Sequence, residues 1–129
     1  MKYLYITYST SDDFETIKCL PNKEDLLYLE IAYCKDGNFL PIADISYLEG
    51  FTGLIYLGLG GNDIRDLSPI SNMTSLEILF LYENFNIETL EPLYNLTNIT
   101  QGIIPSTYQY TAEDFEHLGD PMSSNFYYD

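Results

Sequence analysis

The chain has 129 residues, a hydrophobic fraction of 46% and a mean hydropathy of −0.10, which suits one globular domain. Twenty acidic against five basic residues give a net charge of −15, so phosphate repulsion argues against nucleic acid or an anionic membrane as a direct ligand. No apolar run approaches the roughly 18 residues of a membrane-spanning helix, and two cysteines, Cys19 and Cys34, do not make a disulfide framework.

Residues 1–24 read as an N-terminal cap. The stretch Met1-Lys2-Tyr3-Leu4-Tyr5-Ile6 carries a lysine but neither an apolar core nor a small-residue cleavage site. It reads as a strand rather than a signal peptide. The expected location is therefore cytoplasmic, with both cysteines as thiols. Residues 12–24 suit a short helix, with Phe14, Ile17 and either Cys19 or Leu20 turned inward.

From residue 25 to 105 one spacing recurs. Leu26, Leu29, Ile31 and Cys34 open the first unit, which closes with Asp44-Ile45-Ser46-Tyr47-Leu48 and Phe51-Thr52. This unit is 28 residues long, with a six-residue insertion near Lys35 to Pro41. The next two units are the clearest. Leu54, Leu57, Leu59 and Asn62 are followed by Leu67-Ser68-Pro69-Ile70 and Met73-Thr74, a unit of 22 residues. Leu76, Leu79, Leu81 and Asn84 are followed by Leu90-Glu91-Pro92-Leu93 and Leu96-Thr97, a unit of 23, with one extra residue after Asn84. Ile99, Gly102 and Ile104 continue the spacing downstream, and Tyr3, Ile6 and Tyr8, with Ser11 in the asparagine place, continue it upstream.

The alternation within each unit is that of a strand with one buried face. A single unit cannot bury that face alone, so neighbours must stack. The asparagine turns the chain out of the strand, and its amide can bond backbone groups otherwise unpaired. Ser68-Pro69 and Glu91-Pro92 then start a short helical or 3-10 turn, for which serine is a good N-cap and proline a good first residue. Leu67, Ile70 and Met73, like Leu90, Leu93 and Leu96, point back inward.

The pattern L-x-x-L-x-L-x-x-N, with the tail L-S-P-I-x-N-M-T, resembles the 22-residue leucine-rich repeats of bacterial internalins and of the phosphatase-regulator type. The resemblance implies an α/β fold: a short leucine-rich-repeat solenoid with about five parallel strands on the concave face and short helical or 3-10 turns on the convex face. It also implies a scaffold that binds protein. A helix from Thr111 to about Gly119, capped by Thr111 with acids in its first turn, would close residues 106–129. The last residues, Met122 to Asp129, are Ser/Asn/Tyr-rich and are expected to be loose.

Little in the chain points to catalysis. The one histidine, His117, is expected to be inert, no Cys/His cluster has metal spacing, and no serine sits in a nucleophile elbow. Gly58-Leu59-Gly60-Gly61 lacks the lysine of a phosphate loop, and Asp63 with Asp66 does not complete a calcium loop. Three N-x-T triplets begin at Asn72, Asn95 and Asn98, the first two as products of the repeat itself. No cofactor, metal or catalytic residue is expected.

The surface is more informative. The strands should present Tyr5, Tyr28 and Tyr56 at equivalent positions as a column, continued by Ile78, Phe80 and Tyr82 as an apolar band. Glu30, Asp36, Asp63 and Glu83 should rim it with negative charge. Aromatics exposed without a core role suit a binding hot spot, although side-by-side tyrosines also serve strand pairing. The charge reads either as a solubility device or as steering toward a basic partner. The expected function is that of a small acidic inhibitor, monomeric alone, which covers a basic nucleic-acid-binding surface of a nuclease or a nucleic-acid-guided effector. A toxin-immunity protein or a phage anti-CRISPR would be of this kind. The alternative is an adaptor that recruits its partner without inhibiting it.

Overall fold

Each repeat turns its alternating aliphatic residues inward, and the products stack into one parallel sheet. The computed structural model describes residues 2–10, 17–121 and 124–129. The strands are β1 (Tyr3–Thr7), β2 (Tyr28–Ala32), β3 (Tyr56–Gly58), β4 (Ile78–Phe80), β5 (Gln101–Ile104) and β6 (Phe126–Tyr128). They pair in sequence order, all parallel. Short 3-10 turns at Lys23–Asp25, Ser46–Leu48, Ser68–Ile70 and Glu91–Leu93 lie between strands. The register Leu29↔Leu57↔Leu79↔Gly102 is the one the repeat spacing predicts.

One continuous core results. Leu29, Leu57 and Leu79, then Ile31, Leu59 and Leu81, form rows with almost no exposed surface. Ile45, Leu67 and Leu90, with Leu48, Ile70 and Leu93, close it from the convex side. A ladder of buried amides ties the units together. Asn62 accepts from the Cys34 N–H (3.1 Å) and donates to the carbonyls of Ile31 (2.8 Å) and Leu59 (2.9 Å). Asn84 accepts from the Ile64 N–H (3.0 Å) and donates to those of Leu59 (2.8 Å) and Leu81 (3.1 Å). Cys34 holds the same place one unit earlier, its thiol donating to the carbonyls of Ile6 (3.4 Å) and Ala32 (3.3 Å).

Three expectations change, and a fourth is described only in part. The sheet has six strands rather than about five, because Phe126–Tyr128 pair with β5. Phe126 is buried, its ring occupying the space where a side chain at Gly102 would stand. The Gly102 N–H donates to the Asn125 carbonyl at 2.7 Å. The first strand sits two residues away from the expected frame: Tyr3, not Tyr5, pairs with Tyr28, so that Leu4 and Ile6 face the core. Tyrosine tolerates exposure better than aliphatic side chains do, which favours this register. The convex turns are not capped by serine either. Asp66 and Asp44 lie two residues ahead of Ser68 and Ser46 and accept their N–H groups at 2.8 Å, and Thr89 does so for Glu91 at 3.1 Å. These bonds hold the Asp44 and Asp66 carboxyls below their ordinary range. Finally, the helix expected over residues 12–24 is described only in part. Residues 12–16, Phe14 among them, lie outside the described residues; Ile17 is buried, Leu20 is half-buried and Cys19 is exposed.

The expected C-terminal helix runs over Ala112–Leu118 and begins with a full capping box between Thr111 and Asp114. Asp114 is buried and accepts from the hydroxyls of Tyr94 (2.7 Å) and Tyr108 (2.8 Å) and from the Thr111 N–H (2.9 Å). His117, on the exposed side, stacks on Tyr94 with centroids 4.2 Å apart. No helix of the described residues is long and apolar enough to cross a membrane.

Candidate protein-binding face

A parallel sheet normally has both faces covered. Here the convex layer covers one face, and the other leaves aromatic side chains such as Tyr3 and Tyr5 exposed. Outward residues alternate with the core residues: Tyr3, Tyr5 and Thr7 on β1, Tyr28, Glu30 and Ala32 on β2, Tyr56 and Gly58 on β3, Ile78 and Phe80 on β4.

Seven of the rings on this side touch in sequence. Tyr3 stacks on Tyr28 (4.7 Å) and Tyr28 on Tyr56 (6.2 Å). Tyr56 meets Phe80 edge-on (5.5 Å) and Phe80 meets Tyr82 (6.4 Å). Tyr82 then meets Tyr33 (6.3 Å), which stacks on Tyr8 (5.3 Å). The chain of rings forms an arc. Two strand rows lie within it: Tyr5, Glu30 and Gly58, then Thr7, Ala32 and Gly60.

Glycine makes the arc possible. A side chain at Gly60 would collide with the Tyr82 ring, and one at Gly58 with the Glu30 carboxylate and the Tyr56 hydroxyl. Glu30 therefore leans across Gly58 and accepts a hydrogen bond from the Tyr56 hydroxyl. Burial first, and the Glu30 carboxylate second, raise the Tyr56 hydroxyl above its ordinary value. The Tyr82 hydroxyl is raised by the same two causes in the same order.

The two rings at the end of the arc stand on left-handed backbone. Tyr8, Tyr33, Gly61 and Glu83 occupy one position in four successive units, each four residues past the core residue Leu4, Leu29, Leu57 or Leu79. Their φ angles are 54°, 53°, 70° and 57°. Glycine accepts this conformation freely, whereas other L-residues lose about 1–2 kcal/mol there. Three of the four units place a tyrosine or a glutamate at a position that suits glycine, and Tyr33 lies over the bare Cα of Gly61. Beyond Tyr8 and Tyr33 an apolar groove reaches Pro41, beside a hairpin closed by the Lys35–Pro41 bridge. Phe39 and Leu40 are exposed on that hairpin.

The acidic residues divide. Glu30 is at the centre of the face, not on its rim. Asp36 is in the hairpin, where its carboxylate accepts the N–H groups of Asn38 (2.8 Å) and Leu40 (3.1 Å). Asp63 is paired with Arg65 (3.3 Å) and accepts from Asn86 (2.7 Å), which offsets its charge. Glu83 is exposed beside Tyr33; partial burial, then this carboxylate, raises the Tyr33 hydroxyl. Among the described residues there is no group of three or more His, Cys, Asp or Glu able to hold a metal ion.

Comparison with known proteins agrees with this architecture. The family model for leucine-rich repeats (two copies) matches residues 52–95. Internalin C2 from Listeria monocytogenes str. 4b F2365 superposes with a TM-score of 0.65 and 25% identity over 82% of this chain. The chain thus carries leucine-rich repeats, and its fold is similar to that of the internalins. An internalin (inlF) from the same strain superposes over 100% of the chain with a TM-score of 0.61 and 19% identity, a likeness of fold. The chain spans 42% of the length of each internalin. None of the curated protein sequences matches it.

Within this leucine-rich-repeat face, the sequence-predicted residues Tyr28, Glu30, Tyr56, Ile78, Phe80 and Tyr82 come together. Tyr5 stands beside Glu30 rather than in the tyrosine column, with 62% of its surface exposed. Tyr3, Tyr8 and Tyr33 were not anticipated. Tyr33 and Tyr8 could have been found by asking which residues fall on the place of Gly61, where a side chain is carried at a conformational cost.

Proposed function

We propose that this leucine-rich-repeat protein binds a basic surface of a partner protein through its concave aromatic face, and that it inhibits the partner by covering a nucleic-acid-binding site there. The supporting observation is the arc of rings around Glu30 on an uncovered sheet, in a chain of net charge −15. Aromatic residues supply contact energy at interface centres, and the acidic field raises the encounter rate with a basic surface. Repeat solenoids use their concave surfaces in this way. The reading places the protein inside the cell, where the exposed thiol of Cys19 stays reduced. It gives the chain a binding role and no catalytic one.

A competition assay tests the inhibitory part. Basic nucleases and nucleic-acid-guided effectors are titrated with the protein while their nucleic-acid binding is followed by fluorescence anisotropy. Displacement of the nucleic acid at stoichiometric protein supports inhibition. A partner that binds the protein and nucleic acid together makes it an adaptor. Absence of binding to every basic partner removes the proposal.

A further inference from the structure

The centre of the concave face has more structure than a general docking surface needs. We propose that it is a recess for a single guanidinium group, an arginine side chain of the partner, with Glu30 as counter-charge and Tyr56, Phe80 and Tyr82 as walls. This rests on the docking role proposed above and names the chemistry at its centre.

Three observations carry it. First, Glu30 is half-buried among rings, and among the described residues no lysine or arginine is paired with it, although the chain pairs Arg65 with Asp63 elsewhere. Its interaction within the chain is with the neutral Tyr56 hydroxyl, which occupies one carboxylate oxygen, Oε2, and leaves Oε1 as an acceptor. A carboxylate among apolar rings loses hydration, which a cation would compensate. Second, two glycines let the acid and a ring settle low on the sheet. The Glu30 carboxylate and the Tyr56 hydroxyl lie over the bare Cα of Gly58, and the Tyr82 ring lies over that of Gly60. Third, the rings around Glu30 stand at different angles, with Tyr56 and Phe80 perpendicular (85°) and Tyr82 tilted against Phe80 (49°). A cation is attracted to ring faces, and the effect grows when it is desolvated. Guanidinium fits better than ammonium because it is planar, stacks on rings and can donate to Oε1 at the same time.

The test uses the full chain, labelled with 15N, and capped hexapeptides of arginine, lysine and citrulline at physiological salt. Citrulline keeps the shape of arginine without its charge. The expected result is that hexa-arginine shifts the amides of Glu30, Tyr56, Gly58 and Gly60. Its affinity should exceed that of hexa-lysine several-fold and that of hexa-citrulline by at least about tenfold. Glu30→Gln should weaken hexa-arginine about tenfold, whereas Glu91→Gln on the convex side, with the same loss of charge, should leave it within twofold. Because the peptide comparison is made on the unaltered chain, it stands whether or not the variants fold. Shifts on the aromatic face that are equal for lysine and arginine, or that survive Glu30→Gln, overturn the recess while leaving the docking face. Shifts confined to other surfaces, or none, overturn both.

Discussion

Replacing Asn84 by alanine isolates one rung of the ladder that joins the repeats. Asn84 has no exposed surface. Its side chain accepts from the Ile64 N–H and donates to the carbonyls of Leu59 and Leu81. Without it, the Leu59 carbonyl keeps the Asn62 amide at 2.9 Å, and the Leu81 carbonyl keeps the residue 84 N–H at 3.3 Å. The Ile64 N–H keeps nothing equivalent. A buried donor left unpaired costs about 1–3 kcal/mol, and the space vacated by the amide adds about 1 kcal/mol. The expected loss is therefore about 3 kcal/mol. With a urea m value of about 1.5 kcal/mol/M, the midpoint of unfolding followed by circular dichroism should fall by about 2 M at unchanged m. Asn84→Cys copies the residue that Cys34 supplies one unit earlier. A thiol donates but accepts weakly, so this variant should fall between wild type and alanine. A loss below about 1 kcal/mol for the alanine variant would refute the view that the amide ladder, and not leucine packing alone, sets the repeat.

Three other outcomes follow from the same structure. Glu83→Gly should raise stability by up to about 1 kcal/mol, since glycine relieves the left-handed backbone (φ 57°) by more than it adds unfolded-state entropy; a lower melting temperature would contradict this. Phe126→Ala should cost about 3 kcal/mol and accelerate hydrogen exchange at the Gly102 amide, which donates to the Asn125 carbonyl; unchanged exchange there would remove β6 from the folded sheet. Burial works against ionisation of Asp114, but its bonds from the Thr111 backbone and the Tyr94 and Tyr108 hydroxyls outweigh that, and its carboxyl lies below the ordinary value of 3.8. The stabilisation is thus present above that ordinary value and is lost as pH falls through the lower folded value. Stability measured from pH 7 down to pH 2 should fall more steeply below about pH 4 in wild type than in Asp114→Asn, which should already be less stable at neutral pH.

The repeat frame was legible because leucines at fixed spacing have a single physical use, stacking into a shared core. Asn62 and Asn84 marked the turns, and Cys34 could be placed with them by spacing alone. The single extra residue after Asn84 also stood out, and Phe85 is exposed there. The ends were harder. No asparagine anchors the first unit, so Tyr3, Ile6 and Tyr8 fitted the spacing as well as Leu4 and Ile6 did, and only pairing with β2 decides between them. β6 has no leucine pattern. Phe126 is specified by the missing side chain of Gly102 on the neighbouring strand, a complementarity between residues 24 apart. On the binding face, the tyrosine column and the apolar band followed from strand alternation. The arc did not, because it depends on Gly58 and Gly60 admitting side chains from adjacent strands, and on Tyr8 and Tyr33 in a conformation that sequence periodicity does not report.

The central claim is that the aromatic face meets a basic protein surface. Surface plasmon resonance tests it most directly, with basic nucleases and nucleic-acid-guided effectors immobilised and the wild-type protein compared with Tyr56→Ala and Phe80→Ala across a salt series. The association rate should fall as salt rises, and the dissociation rate should increase at least about tenfold in either variant. Binding that is indifferent to salt and to both substitutions, or no binding to any basic partner, would contradict it.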